Sequence, residues 1–267
     1  MMKRALLFLW LAAPAYGFSL PDSVSQATFV YGTLEPSEKL YYRGQQVPVA
    51  KNGTFLLAVG RDTQELTLTL KDGWFSKKTL TVPVQQRVWP VDRIEGMASE
   101  KVTPPAALKK RLRREQKLLD AARAQRPLKE GVFPFCFVKP VEETRISAPF
   151  GAQRMINGVA QRPHSGLDMA APEGTPVKAT ADGVVILSEE DMFYTGGTVL
   201  IEHGSGVQSG YSHLSRRTVQ TGETVKAGDV IGAVGSTGRS TGPHLHFTLA
   251  WNNIRIDPQS ILSARCP

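Results

Sequence analysis

The sequence predicts a mainly β protein with a small N-terminal β-sandwich, a linking basic helix and a C-terminal antiparallel β domain. Short alternating runs broken by Asn-Gly and Asp-Gly extend to about residue 91, which is typical of hairpins. One stretch of strong helix formers follows between prolines, and the rest is rich in glycine with short Val and Ile runs. The 267 residues, 41% hydrophobic and 21% charged, suffice for two modest domains and exclude a disordered or fibrous chain.

Residues 1–17 have the pattern of a secretory signal peptide. Lys3 and Arg4 precede an uncharged apolar run that ends in small residues. The alternative is an uncleaved membrane anchor, but the run is shorter than the roughly 20 residues of a span and is interrupted by Pro14. We therefore expect export to a periplasm, with secretion as the alternative.

Residues 18–98 are predicted to form the β-sandwich-like N-terminal domain. Its strands are rich in Thr, Val, Tyr and Leu, and tight turns are expected at Asn52-Gly53 and Asp72-Gly73. The segment contains neither histidine nor cysteine. It offers no metal or thiol chemistry, so we expect a role in spacing, binding or covering.

Residues 99–130 are predicted to be a basic helical linker. Residues 101–129 hold ten Lys or Arg against two acids, which equals the formal +8 of the whole chain. The remainder is balanced, which argues against a nucleic-acid partner. The apolar positions of the helix fall near one stripe: Leu108, Leu112, Leu119 and Ala122. Two interpretations stay open, a solvated helix that packs by this stripe, or a dock for an anionic envelope polymer or membrane surface.

Residues 131–267 are predicted to be the second β domain. The segments 173–185 and 222–234 resemble each other and both predict a strand, a turn and a strand. Cys136 and Cys266 lie near the two ends of this region. In an oxidising compartment they are expected to form a disulfide, which would close a loop of about 130 residues and contribute about 4–5 kcal/mol. Two unrelated buried thiols are the alternative.

All five histidines fall within residues 164–246. His164 and Asp168 are four apart, and the nearby proline and glycine disfavour a helix, so a turn entering a strand is expected to bring them together. His244 and His246 would project to the same face of a strand. Nitrogen and oxygen donors of this kind suit zinc, and three protein ligands with an open fourth position would define a catalytic site.

The region resembles the lysostaphin-like (LytM-type) zinc endopeptidases, which cleave peptide bonds in peptidoglycan. The resemblance covers residues 145–262 nearly continuously, through RISAPFGAQR, HSGLDMAAPEGTPVKATADGVV, TVLIEHGSGVQSGYSHLS and GETVKAGDVIGAVGSTGRSTGPHLHF. It implies one Zn²⁺ per chain, and it assigns residues to two roles at the site. The implied metal ligands are His164, Asp168 and His246, and the implied catalytic histidines are His213 and His244.

Two further residues are assigned by the same resemblance. His203 corresponds to a His-Gly turn that does not bind metal in the family, so a structural role is expected. Tyr194, before Thr195, is similar to a tyrosine near the scissile bond in some members, although the preceding EEDMF departs from their pattern.

The resemblance implies an exported zinc-dependent endopeptidase that cuts stem-peptide cross-links of peptidoglycan in cell-wall remodelling. One alternative is a catalytically silent activator or scaffold of cell-wall amidases, but all five family positions are intact here. Another is cleavage of glycine bridges by a secreted lysin. A third is a biotinyl or lipoyl carrier. Such a carrier needs a modifiable lysine at a hairpin tip, whereas Lys178 and Lys226 lie within strand-like runs. The N-terminal region could also cover the groove until a regulatory protein partner removes it.

Overall fold

The structure is a computed structural model that describes residues 18–73, 76–128, 137–142 and 144–262. The expected signal peptide and both cysteines, Cys136 and Cys266, lie outside these residues, so the leader and the disulfide stay predictions. Within the described ranges, no helix is both long and apolar enough to cross a membrane.

The N-terminal region consists of short strands, as the alternating pattern predicts. Within the described residues they are β1 Val24–Ser25, β2 Thr28–Thr33, β3 Glu38–Tyr42, β4 Gln45–Gln46, β5 Thr54–Val59, β6 Glu65–Asp72 and β7 Ser76–Gln85. They form a sheet in the order β1-β7-β6-β3-β4 and a second sheet from β2 and β5. Gly53 and Gly73 of the two predicted turns have φ of 79° and 60°, the left-handed region that favours glycine.

The connecting region contains the predicted basic helix. Its elements are β8 Val91–Ile94, α1 Ser99–Val102, a 3₁₀ turn Ala106–Leu108 and α2 Lys109–Ala124. Leu119 and Ala122 of α2 pack against a small apolar cluster formed by Ile186, Leu187, Met192 and Leu200. The predicted packing of the leucine stripe on a neighbour is therefore confirmed for the second half of the helix.

The C-terminal region is antiparallel β structure, as predicted. Its described elements are β9 Arg145–Ala148, β10 Gln153–Ile156, β11 Val159–Ala160, β12 Leu167–Ala170, β13 Pro176–Lys178, β14 Gly183–Met192, β15 Gly196–Glu202, β16 Val207–Leu214, β17 Arg216–Arg217, β18 Thr224–Val225, β19 Val230–Ala233, β20 His244–Trp251, β21 Ile254–Ile256 and α3 Gln259–Leu262. The main sheet runs β18-β14-β15-β16-β20-β12-β9, with β21 on β20. The two similar segments pair with each other, β13 with β19 and β14 with β18.

The N-terminal and C-terminal regions share one hydrophobic core. Tyr42 stacks on Trp251 with ring centroids 6.2 Å apart, and Phe29 stacks on Phe137 at 6.1 Å. In addition, β8 pairs in parallel with β10, so the upstream segment extends a C-terminal sheet. The domain boundaries given above stay predictions, but the upstream region packs directly on the region that carries the histidines.

Candidate metal and catalytic centre

Two neighbouring strands bring the predicted ligands together. In the antiparallel pair of β12 and β20, Asp168 lies directly opposite His246, so their side chains share one face. His164 lies in the loop before β12, which confirms the predicted turn into a strand. Between them, a Cβ on Gly166 would lie 2.5 Å from the Phe247 carbonyl oxygen and 2.8 Å from the His246 ring, so only glycine fits.

Three donor atoms converge at this point. His164 Nε2 lies 3.0 Å from Asp168 Oδ1 and 3.0 Å from His246 Nδ1. His246 Nδ1 lies 2.6 Å from the same carboxylate oxygen. Among the described residues, these three form a group whose ligand atoms all lie within 4.8 Å of one another. The predicted His-Asp-His set is thus a compact cluster with metal-like spacing.

Hydrogen bonds from outside the cluster fix which atoms face inward. His164 Nδ1 donates a hydrogen bond of 2.8 Å to the Pro149 carbonyl oxygen, so Nε2 is the nitrogen that faces the cluster. The other oxygen of Asp168, Oδ2, accepts a bond of 2.6 Å from Arg154 Nη2. Arg154 thus contacts the ligand set directly, and the sequence did not single it out. Arg154 lies 14 positions before Asp168, and this spacing does not predict a contact, because the contact depends on how the strands pair.

The donor set fits a metal ion such as zinc. Burial alone would raise the pKa of the Asp168 carboxyl, but the adjacent His246 and His164 hold it well below its usual range. Burial lowers the pKa of His246 to about 4. At neutral pH the cluster therefore offers an ionised carboxylate and a neutral imidazole, the forms in which these groups bind metal.

The fourth site residue, His213, reaches the cluster through a β-bulge. The register of β15 and β16 shifts between Gly197 and Val199, so that Ser212 and His213 together face one residue of β15. Ser212 is the residue opposite His246, so regular alternation would direct His213 to the other face. A left-handed backbone conformation at His213 (φ 66°) accompanies the bulge, and its ring centroid lies 5.9 Å from that of His246.

His213 and His244 form a second pair beside the metal cluster. Their ring centroids are 4.7 Å apart. His213 Nδ1 donates to the Thr237 carbonyl oxygen at 2.8 Å, and His244 Nδ1 donates to that of Gly242 at 2.8 Å. His244 Nε2 lies 3.8 Å from Asp168 Oδ1. Burial, followed by the neighbouring His246 and His244, lowers the pKa of His213 to about 3. His213 is therefore neutral at neutral pH.

The structure puts Tyr194 at the turn between β14 and β15, next to the loop that contains Thr237. Its ring packs edge-on against Phe193, with centroids 4.9 Å apart, and the Arg239 guanidinium lies 4.7 Å from its ring centroid. Arg239 also donates its backbone N–H to the Tyr194 carbonyl at 2.8 Å. Tyr194 thus borders the same loop as His213, and its role stays a prediction.

His203 lies away from the cluster. Its Nδ1 donates to the Asp182 carbonyl oxygen at 2.8 Å, and its Nε2 lies 2.7 Å from Ser209 Oγ. Burial lowers its pKa to about 4, so it stays neutral and bonded through both nitrogens. These contacts support the structural role that the resemblance implies.

The upstream segment Glu95–Lys101 borders a loop next to the site. A cavity of about 560 Å³ lies between Glu95–Lys101 and the loop residues Gly238, Ser240 and Thr241. Ser240 Oγ in turn lies 3.3 Å from His244 Nδ1. Whether this segment covers the groove in solution stays a prediction.

Two imidazoles and one carboxylate converge here, and two further histidines flank them in a mainly β domain. This combination defines a metallopeptidase. The model of peptidase family M23 matches residues 162–258. A crystal structure from Pseudomonas aeruginosa, described as an M23 peptidase, is 30% identical with a TM-score of 0.68, covering 90% of this chain and 96% of that one. The chain belongs to peptidase family M23.

Two relatives are named for an activity on peptidoglycan or as a peptidase. The DD-carboxypeptidase/endopeptidase Mpg of Neisseria meningitidis serogroup B is 46% identical over 124 residues. The peptidoglycan DD-endopeptidase ShyC of Vibrio cholerae serotype O1 is 42% identical over 123 residues. Each match covers 46% of this chain but only 28% of the relative's own length. The chain thus spans less than a third of the length of each of these two relatives.

Proposed function

We propose that the chain is an exported zinc-dependent endopeptidase that hydrolyses peptide bonds in peptidoglycan stem-peptide cross-links. The observation that carries the proposal is the convergence of His164 Nε2, Asp168 Oδ1 and His246 Nδ1 beside a second histidine pair. Two similar proteins are a peptidoglycan DD-endopeptidase and a DD-carboxypeptidase/endopeptidase, which supports this substrate class. Acting on peptidoglycan would place the protein in the cell envelope, and the sequence favours the periplasm.

The three ligands would hold zinc, and the two remaining histidines would handle protons. Zinc, when bound, supplies a Lewis acid that polarises a scissile carbonyl and lowers the pKa of a water. The ligand geometry is fixed in advance, because Pro149 and Arg154 orient His164 and Asp168.

His213 and His244 each use Nε2 in this mechanism, since Nδ1 of each ring donates to a backbone carbonyl oxygen. One of them would take the proton of the attacking water, and the pair would then donate to the leaving amine. A protonated imidazole also stabilises the negative charge that develops on the carbonyl oxygen. Both rings border the cluster, because His244 Nε2 lies 3.8 Å from Asp168 Oδ1 and the His213 ring centroid lies 5.9 Å from that of His246.

Removing the metal is expected to stop lysis. We expect purified protein to release soluble fragments from isolated peptidoglycan, to lose this activity with a chelator, and to regain it on addition of zinc. The measurement is fragment release followed by mass spectrometry of the products. Lysis that is insensitive to the chelator would contradict the zinc mechanism, and no lysis with zinc bound would favour the amidase activator or scaffold.

We further propose that α2 binds an anionic polymer of the envelope through its exposed face. The exposed cations of this face lie at helical spacing on the side opposite the packed stripe: Lys109, Lys110, Arg113, Arg114 and Lys117. In the described part of the chain none of the five makes an ion pair. The second half of the apolar stripe of α2 is already packed, which favours an electrostatic contact over insertion into a lipid surface.

Neutralising this face is expected to weaken retention on peptidoglycan. For a Lys109→Gln, Lys110→Gln, Lys117→Gln variant we expect less protein to co-sediment with insoluble peptidoglycan at low salt. We also expect a smaller loss of binding when NaCl is raised to about 0.3 M, because fewer screened contacts remain. The matched control replaces three exposed lysines of the N-terminal region, Lys51, Lys77 and Lys78.

The control variant is expected to bind like the wild type. Equal loss in both variants would mean that only net charge matters and would contradict a dock on α2. Co-sedimentation with anionic vesicles, but not with peptidoglycan, would assign the face to a membrane surface instead.

A further inference from the structure

The linking helix α2 contacts the turn that precedes Tyr194. Glu115 is buried although it belongs to the most basic segment of the chain. Its Oε2 accepts the backbone N–H of Phe193 at 2.9 Å, and its Oε1 accepts from Arg111 Nε at 2.6 Å. Arg111 Nη2 in turn donates to the Asp191 carbonyl oxygen at 2.6 Å. One carboxylate and one guanidinium of the helix thus bind two successive parts of the same turn.

A third residue of the linker, Lys101, contacts this turn. Lys101 Nζ donates to the Phe193 carbonyl oxygen at 3.1 Å and lies 4.2 Å from the centroid of the Phe193 ring. Phe193 is therefore bound at its N–H, at its carbonyl oxygen and at its ring face by linker side chains. Its side chain is buried.

The far end of the turn holds the bulge of β16. The backbone N–H of His213 donates to the Thr195 carbonyl oxygen at 2.7 Å. His213 Nδ1 donates to the Thr237 carbonyl, and Thr237 is itself tied to the turn because its Oγ1 accepts the N–H of Gly197 at 2.9 Å. A Cβ on Gly196 would lie 2.1 Å from Thr237 Oγ1, so the two segments are in close contact.

The bulge needs such support. His213 has a left-handed backbone, φ 66°, which a non-glycine residue keeps only when its surroundings hold it there. The turn supplies one hydrogen bond to the backbone of His213 and a second, through Thr237, to its ring. Relaxation of the bulge would move the imidazole away from the metal cluster, because alternation alone directs it to the other face.

We infer that Glu115 is a positioning residue of the catalytic groove: through the turn Asp191–Thr195 it holds His213 in the bulged conformation that faces the metal cluster. The helix is then part of the catalytic support and more than a spacer between two domains. The inference rests on the proposed function only for the consequence on catalysis. Its structural part concerns this chain alone.

The test compares Glu115→Ala with Glu115→Gln in the full chain. Alanine leaves the buried N–H of Phe193 without an acceptor, whereas glutamine keeps an amide oxygen for it. For Glu115→Ala we expect faster hydrogen exchange at the amides of Phe193 and His213, and a kcat lower by about tenfold with little change in KM. Glu115→Gln should recover most of both properties. Zinc content should equal that of the wild type in both variants.

The matched control is Asp120→Asn, the other acid of the helix, which is exposed and accepts a hydrogen bond from Gln116 on α2 itself. It should leave exchange and kcat unchanged. If Glu115→Ala does not fold, Lys101→Met removes the contacts of Lys101 with the Phe193 carbonyl oxygen and ring. It is expected to speed hydrogen exchange at the same two amides.

Unchanged protection of the His213 amide in Glu115→Ala or Lys101→Met would overturn the inference. So would a lower melting temperature with faster exchange confined to α2, which is what simple anchoring of the helix predicts. If the wild type itself cleaves no peptidoglycan, the proposed function fails, while hydrogen exchange still decides the inference.

Discussion

Replacing Asp168 or His164 by alanine is expected to abolish zinc binding and lytic activity together. Each residue supplies one of three donor atoms that lie within 3.0 Å of one another, so its loss leaves two protein ligands. Outer-shell partners of a metal typically contribute about 10–100-fold to affinity or activity, and a direct ligand should contribute more. The measurements are zinc content by elemental analysis and fragment release from peptidoglycan.

His203→Gln is the matched control for His164→Ala, because it removes the one histidine that lies outside the site. His203 hydrogen-bonds to Asp182 and Ser209, so its replacement is expected to lower the stability of the fold. The control should still bind zinc and lyse peptidoglycan at a permissive temperature. The Asp168→Ala variant needs a check of folding, since it also leaves Arg154 without its 2.6 Å partner. Stoichiometric zinc in folded His164→Ala would refute the ligand assignment.

The strands and turns of this protein were largely predictable, because they depend on local patterns. Asn52-Gly53 and Asp72-Gly73 mark turns at which glycine takes the left-handed backbone. The parallel pairing of β8 with β10 was not predictable, since it joins residues about sixty positions apart and nothing in the periodicity of either segment specifies the partner.

The sequence of α2 contains a further indication, the position of Glu115 within the apolar stripe. Leu108, Leu112, Leu119 and Ala122 indicate the packed stripe, and Glu115 falls between them at the same spacing of three and four. An acid at an apolar position of a basic helix indicates a buried carboxylate with specific partners. The structure gives those partners as Arg111 and the backbone of Phe193.

The site was predicted in composition but not in geometry. The spacing of His164 and Asp168, and of His244 and His246, indicates two pairs, but only the pairing of β12 with β20 brings them together. His213 is the opposite case, because regular alternation in β16 would direct it away from the cluster. Its position depends on a β-bulge, and no residue pattern in the strand predicts that bulge.

Replacing His213 by alanine is expected to leave zinc in place and to remove turnover. Its Nδ1 is bound to the Thr237 carbonyl oxygen and it is not among the three converging donors, so metal affinity should not depend on it. Positioned acid–base groups contribute about 10²–10⁴-fold to rate, and the loss should appear in kcat and not in KM. The same measurements apply to His244→Ala.

The design must separate loss of the imidazole from a change in backbone strain. His213 has φ 66°, and asparagine tolerates this conformation better than alanine while lacking an imidazole. His213→Ala and His213→Asn should therefore lose turnover equally. Activity retained in the asparagine variant would contradict a proton-transfer role for His213, and loss of zinc in either folded variant would contradict its exclusion from the ligands.

The double variant His213→Ala, His244→Ala gives the strongest discrimination. If the two rings, 4.7 Å apart, act on one proton path, removing both should cost about as much as removing either, because residues that act as a unit are not additive. Independent roles would instead multiply the two losses. A double variant far slower than both single variants would therefore exclude a shared path, even if each histidine proves essential.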